Sequence, residues 1–202
     1  MGIDADRVGA LNVGAGGDSV SVFAWIRRAP SPECHFVAGI WVEDDHAPKR
    51  QYGLFVDLPL YGGADRVCGH VSRTGGRSPG LPFSRDYSAS DRVVPFQQWQ
   101  FIGFTYDGDA ITSYLDGIAD SYRGFTEPAP PDGLGLTYAK NPYRIPDGQG
   151  SAGMNDAPAE FTVGAVRLTR GPGNHFAGEI GGIAVFDAAL TGEQVRSLAR
   201  AG

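Results

Sequence analysis

The chain has 202 residues, 42% of them hydrophobic and 20% charged; these are globular proportions and exclude a disordered or fibrous protein. Its formal net charge of −6 argues against nucleic acid or an anionic membrane surface as the main partner. No apolar run approaches the roughly 20 residues of a membrane span. The start, Met1-Gly2-Ile3-Asp4-Ala5-Asp6-Arg7, lacks the basic-then-apolar order of a signal peptide, so the chain reads as cytoplasmic or as a domain excised from a larger, secreted protein. A length of 202 residues suits one domain spanning 1–202. Its 30 glycines and 14 prolines are spread along the chain and mark many turns, which fits short strands better than long helices.

Residues 19–27 alternate, with Val20, Val22, Ala24 and Ile26 on one face and Ser21, Phe23, Trp25 and Arg27 on the other, the period of a strand. Pro30 and Pro32 end it. Strands follow at about 34–43, 51–58 and 65–73. In the last of these Val67, Gly69 and Val71 share a face, and Arg66, Cys68, His70 and Ser72 form an opposite, polar face. Residues 75–82 are a loop rich in Gly and Pro. Runs at 99–106 and 110–115 flank Asp107-Gly108-Asp109, where Gly108 supplies the positive φ of a tight hairpin. Asp116-Gly117 is a second turn that launches a further strand. A Pro- and Gly-rich insertion occupies about 123–160, and loops of that length are often functional. Strands at 161–166 and 178–186 follow. The chain ends in a short helix near 191–200, with Thr191 as N-cap, Gln194 completing a capping box, and Leu190 and Val195 at the positions of a hydrophobic staple.

Cys34 and Cys68 are the only cysteines. On strands one apart in a meander they stand roughly 10 Å from each other, beyond disulfide reach, and are expected to be free. The histidines His35, His46, His70 and His175 are scattered, without the spacing of a zinc site.

The hairpin is informative in wording as well as in pattern. Trp99, an apolar strand ending Thr105-Tyr106-Asp107-Gly108, then a strand ending Tyr114-Leu115-Asp116-Gly117 resemble the central signature of laminin-G-like jelly rolls of the concanavalin-A-like superfamily. Asp18 to Ile26 resembles that family's opening strand, Phe161-Thr162-Val163-Gly164-Ala165 its "Ile-Gly" strand, and His175 to Thr191 its closing strand and tail helix. The matches run in order from about residue 11 to 198. The resemblance implies an all-β fold, a two-sheet antiparallel jelly-roll sandwich with a short C-terminal helix. It places Trp25 and Trp99 in the core. It implies recognition of a glycan, or of a protein partner, more than a named reaction. It also implies one rim calcium, for which Asp18 and Glu179 are the candidate ligands, although Gly181 and Gly182 stand where the family usually carries acidic residues.

Three readings of function follow. The first is a non-catalytic glycan-binding module. The segment from Trp41 to Tyr52 combines an aromatic ring with Glu43, Asp44, Asp45, His46 and Arg50, a mix suited to a polyhydroxylated ligand. Trp41 is read either as the stacking surface of that site or as core. Tyr61, Tyr87, Tyr138 and Tyr143 are further aromatic candidates. The second is a polysaccharide lyase or glycoside hydrolase on the polar sheet face. For a lyase, Tyr52, Arg66 and His70 supply a base and a group that neutralises a uronate carboxylate. A hydrolase wants two carboxyls about 5–5.5 Å apart, and no strand carries such a pair. The third is a protein-interaction module.

Overall fold

Alternating side chains give each strand two faces, and in this protein both faces are covered over much of the larger sheet. The computed structural model describes residues 1–123, 125–126, 137–146 and 153–202. In chain order the strands are β1 (Gly2–Ile3), β2 (Val20–Arg28), β3 (His35–Glu43), β4 (Lys49–Leu58), β5 (Gly63–Val71), β6 (Tyr87–Val93), β7 (Gln100–Tyr106) and β8 (Ala110–Leu115). Then come β9 (Phe125–Thr126), β10 (Thr137–Tyr138), β11 (Tyr143–Arg144), β12 (Phe161–Val163), β13 (Val166–Leu168), β14 (Gly171–Gly173) and β15 (Gly178–Phe186), and the chain closes with α1 (Gly192–Ala201).

Among the described residues the larger sheet runs β1-β12-β3-β4-β5-β6, with β13 added in parallel beside the end of β3 and β14 paired to β13. The second sheet runs β11-β8-β7-β2-β15 and is antiparallel throughout. The two sheets pack face to face as a jelly-roll sandwich. Val20, Val22, Ala24 and Ile26 of β2 meet Leu54 and Val56 of β4 and Val67 and Val71 of β5 in the central core. Gly69 is required there: a Cβ would stand 2.4 Å from the Phe104 side chain, which lies against it from the opposite sheet.

Two smaller clusters cover the outer faces. On the second sheet, Phe23 stacks on Phe101 at 5.3 Å between ring centroids, and α1 lays Val195 and Leu198 over them. The capping box forms as expected: the Thr191 hydroxyl accepts from Gln194 N, and Gln194 Oε1 accepts from Thr191 N at 2.8 Å. Leu190 packs in the same cluster as Val195. On the larger sheet, Phe36, Trp41, Phe55, Cys68 and Tyr87 form the outer cluster.

Several expectations are corrected. Trp99 is not core; it is 44% exposed, because it precedes the first ladder residue of β7 and lies beyond the sandwich, with the Arg27 guanidinium 5.8 Å from its ring. Trp25 is half-buried under α1. Asp116-Gly117 turns the chain with positive φ at both residues, but the turn does not launch a strand; Ile118 bridges straight back to Leu115. The 161–166 strand is two strands, broken at Gly164, whose φ is +77°. β6 was not foreseen. Of the 123–160 insertion, residues 124, 127–136 and 147–152 lie outside the described residues. Both cysteines are free, on either side of β4, and burial pushes the Cys68 thiol up to about 12. Among the described residues no helix is long and apolar enough to cross a membrane.

Candidate functional site

The outer face of the larger sheet holds a cavity of about 690 Å³, within the range of small-molecule sites. Its lining includes Phe55, His70 and Tyr87 with Arg50. The Leu58–Tyr61 segment between β4 and β5, Phe83 and Ser84 from the loop before β6, and Leu168–Arg170 with Asn174 enclose it. These connecting segments thus form a further layer over the sheet.

A bulge in the β3–β4 ladder decides which side chains reach the cavity. Ile40 pairs with Tyr52, yet the next residue, Trp41, pairs with Arg50, so Gln51 is the extra residue. Without it Arg50 and Tyr52, two apart, would share a face. With it Tyr52 enters the central core and Arg50 turns outward beside Trp41, its Cζ 5.9 Å from the Trp41 ring centroid. Bulges re-aim side chains in this way and recur beside binding sites.

Trp41 is 1% exposed. Its ring lies 4.3 Å from the His70 ring and 5.6 Å from Phe55, and its Nε1 donates to Glu43 Oε1 at 2.7 Å. It supports the cavity and is not a surface for stacking. Of the two readings of Trp41, the core one holds.

His70 is 4% exposed and its Nδ1 has no hydrogen-bond partner. Burial holds its pKa well below the ordinary imidazole value, and the charges of Lys140 and Arg50 act in the same direction, so the ring is neutral. Behind Tyr87 lies Lys140, fully buried. Its Nζ donates to the carbonyls of Arg85 and Tyr87, each at 2.8 Å, and stands 3.4 Å from the Tyr87 ring centroid and 4.6 Å from that of Tyr143. This ammonium fixes the floor of the cavity from below.

The turn between β3 and β4 splits the acidic run by role. Asp44 Oδ1 accepts from the backbone N–H groups of His46 and Ala47, each at 2.9 Å, which lowers its pKa; it shapes the turn and does not line the cavity. His46 is exposed in the same turn and also stands outside the lining. Asp45 does line it. Its backbone N–H donates to Thr169 Oγ1 at 2.8 Å, and its carboxylate meets Arg77 at 2.9 Å, tying three loops together. Glu43, Asp45 and Arg50 therefore converge on one cavity, and Asp44, His46 and Tyr52 do not.

The lyase group disperses. Tyr52 is in the opposite, inter-sheet core, where its hydroxyl donates to Leu11 O at 2.7 Å and burial pushes its pKa up. Arg66 points away to Tyr122, its Cζ 4.4 Å from that ring, and donates to Ser90 O at 2.8 Å. Only His70 of the three faces the cavity. The two calcium candidates do not meet either. Asp18 precedes the start of β2, whereas Glu179 pairs in register with Arg27 near the other end and forms an ion pair with it, so the length of a nine-residue strand, about 30 Å, separates them. Among the described residues no group of three His, Cys, Asp or Glu side chains stands ready for a metal ion.

Sequence reasoning missed Arg77, Phe83, Arg170 and Phe55. Phe55 had a signal: it alternates with Leu54 and Val56 and so occupies the face opposite the central core. The loop residues had none, since nothing local says that a Gly/Pro-rich loop folds over a sheet.

No protein-family model matches the chain, and no curated protein matches it. Solved structures do. The CBM40 of an IT-sialidase from Ruminococcus gnavus, bound to α2,3-sialyllactose, superposes with a TM-score of 0.59 at 12% identity over 98% of this chain and 92% of its own. The SAP-like pentraxin of Limulus polyphemus gives 0.51 at 15% identity, over 91% and 70%. Domain 4 of AbnA, an extracellular arabinanase of Geobacillus stearothermophilus, in complex with arabinotriose, gives 0.50 at 18% identity, over 91% and 67%. At these identities the likeness establishes the β-sandwich jelly-roll fold.

Proposed function

We propose that the protein is a non-catalytic glycan-binding module of laminin-G-like type whose binding site is the cavity on the outer face of the larger sheet. The observation that carries this reading is the composition of that cavity. The exposed Phe83 ring and the half-buried Tyr61 in its wall offer flat apolar area to the C–H face of a sugar, above a floor that the buried Phe55 and Tyr87 hold rigid. Charged groups from two strands and two loops, Glu43 of β3, Arg50 of β4, Asp45 and Arg77, converge around them to fix hydroxyl orientation. Two structural neighbours are themselves described in complex with a glycan, arabinotriose in one case and sialyllactose in the other, which supports the same reading.

The test is a glycan array followed by calorimetric titration of the best binder against the wild-type chain and the variants Phe83→Ala and Arg77→Ala. Phe83 is 56% exposed, and Arg77 sits at the rim, so neither change threatens the core. Loss of a rim or wall anchor should weaken binding by about 1–2 kcal/mol each. Affinity unchanged in both variants would move the site elsewhere, and an array with no binder at all would end the glycan reading.

A further inference from the structure

Arg50 is unusual among the cavity groups, and its surroundings bear on ligand class. It is 6% exposed, and a guanidinium carries five N–H donors. Its polar contacts are loose: Nη1 donates to Gly75 O at 3.4 Å, and Nε stands 4.0 Å from Glu43 Oε1. Glu43 Oε1 is already taken by Trp41 Nε1 at 2.7 Å. A buried cation without a close counter-charge is costly, and folds keep one where something else neutralises it. The bulge at Gln51 adds to this, because an unbroken ladder would have sent Arg50 to the other face.

The field around it is positive. Arg50, Arg77 and Arg170 line the cavity against Glu43 and Asp45, and Asp45 is committed to Arg77 and Thr169. Lys140 stands directly behind the Tyr87 ring. Asp86, the acidic group on that side, accepts from the hydroxyls of Tyr143 and Ser78 rather than facing the cavity. His70 lines the same cavity, and its buried Nδ1 has no hydrogen-bond partner.

We infer that the ligand of this cavity is an acidic sugar, with Arg50 as the anchor of its carboxylate and His70 as a hydrogen-bonding partner to a neighbouring group. This rests on the cavity being the glycan site. A carboxylate suits a guanidinium in two ways: it neutralises the buried charge, and its two oxygens match the fork of N–H donors. A neutral sugar does neither. Uronates and sialates share this chemistry and differ in where the carboxylate sits on the ring.

The experiment titrates the wild-type chain with two matched pairs: tetragalacturonate against its carboxyl-reduced form, and 3′-sialyllactose against lactose. In at least one pair the acidic member should bind at least tenfold more tightly, the size of one charge-assisted contact, about 1.4 kcal/mol. The pair that responds identifies uronate or sialate. Arg50→Met should erase the preference and Arg50→Lys should keep part of it, with Arg77→Gln reducing it less than Arg50→Met. Should Arg50→Met not fold, the Arg50 Nε–H resonance of the wild-type chain serves: it should shift with the acidic member and hold still with the neutral one. Equal binding of acidic and neutral members, or a preference that survives Arg50→Met, overturns the carboxylate assignment while leaving glycan binding intact. A chain that binds neither pair nor any array glycan overturns both.

Discussion

Trp41 is the residue whose two sequence readings differ most in consequence, and its replacement by Ala gives a sharp test. Were it a stacking surface, the change would weaken ligand binding and leave stability alone. Its actual position, 1% exposed between Phe55 and His70, makes it a structural support. Truncating a buried Trp costs about 3–5 kcal/mol, because the cavity left behind adds to the lost burial. The hydrogen bond from Nε1 to Glu43 contributes about 1 kcal/mol more. The expected total, about 4–6 kcal/mol, is a large part of the 5–15 kcal/mol that typically holds a domain together. With a urea m-value of about 2–3 kcal/mol/M, the midpoint should fall by between roughly 1.3 and 3 M. Trp41→Phe keeps a ring against Phe55 and His70 but leaves Glu43 without its donor, and should cost about 1–2 kcal/mol. Equilibrium urea unfolding read by far-ultraviolet circular dichroism measures both. A shift below about 0.5 M for Trp41→Ala would show the site to be open and refute the packing described above.

Trp99→Ala should move the urea midpoint by less than the equivalent of about 1 kcal/mol, since the ring is largely in solvent; a core-sized loss would contradict its exposure. Thr191→Ala removes the capping box of α1 and should destabilise by about 1 kcal/mol, read as a lower thermal midpoint; no change would mean the box contributes nothing in solution. His70 is held neutral by burial, with Lys140 and Arg50 adding to the effect, so as pH falls below about 6.5 the unfolded chain takes up a proton that the folded chain refuses. Stability should therefore be full above about pH 6.5 and decline below it by up to about 1.4 kcal/mol per pH unit for this group; His35, depressed in the same direction, adds its own slope. In His70→Phe the decline between about pH 6.5 and 5 should be shallower than in wild type, and parallel curves would show that His70 titrates normally.

Most of the strand ladder was legible because it depends on local rules. Alternation from Val20 to Ile26 and the Gly108 turn place β2, β7 and β8 without any knowledge of neighbours, and Thr191 with Gln194 does the same for α1. β6 escaped because Ser88 and Ser90, which alternate with Tyr87 and Ala89, look like a solvated loop. Ser88 Oγ lies instead 2.6 Å from Ser113 Oγ, buried between the sheets, and Ser90 Oγ accepts from Val67 N, so hydrogen bonds across the fold replace apolar burial. The polar face of β5 is legible as a face from its alternation, but nothing in Cys68 or His70 announces the layer that covers them. Tyr52 shows the same limit more sharply. A bulge shifts every later side chain to the other face, and its cause, the pairing of Trp41 with Arg50, is a property of two strands at once.

That bulge links the stability of the fold to its proposed use. One inserted residue sends an aromatic ring, Tyr52, into the central core, where it fills volume and its hydroxyl reaches Leu11 O. The same residue turns a guanidinium toward the cavity, where its polar contacts are long. Gln51 itself is not idle: its Nε2 donates to Asn12 Oδ1 at 2.6 Å, and its Oε1 accepts from Gly14 N at 3.1 Å, so the extra residue is anchored to the segment that precedes β2. The outward turn of Arg50 is thus held by interactions on the far side of the sheet from the cavity. A charge placed where the fold gives it little compensation, by a distortion that the fold fixes from behind, is the arrangement expected of a preorganised binding group rather than of a structural ion pair.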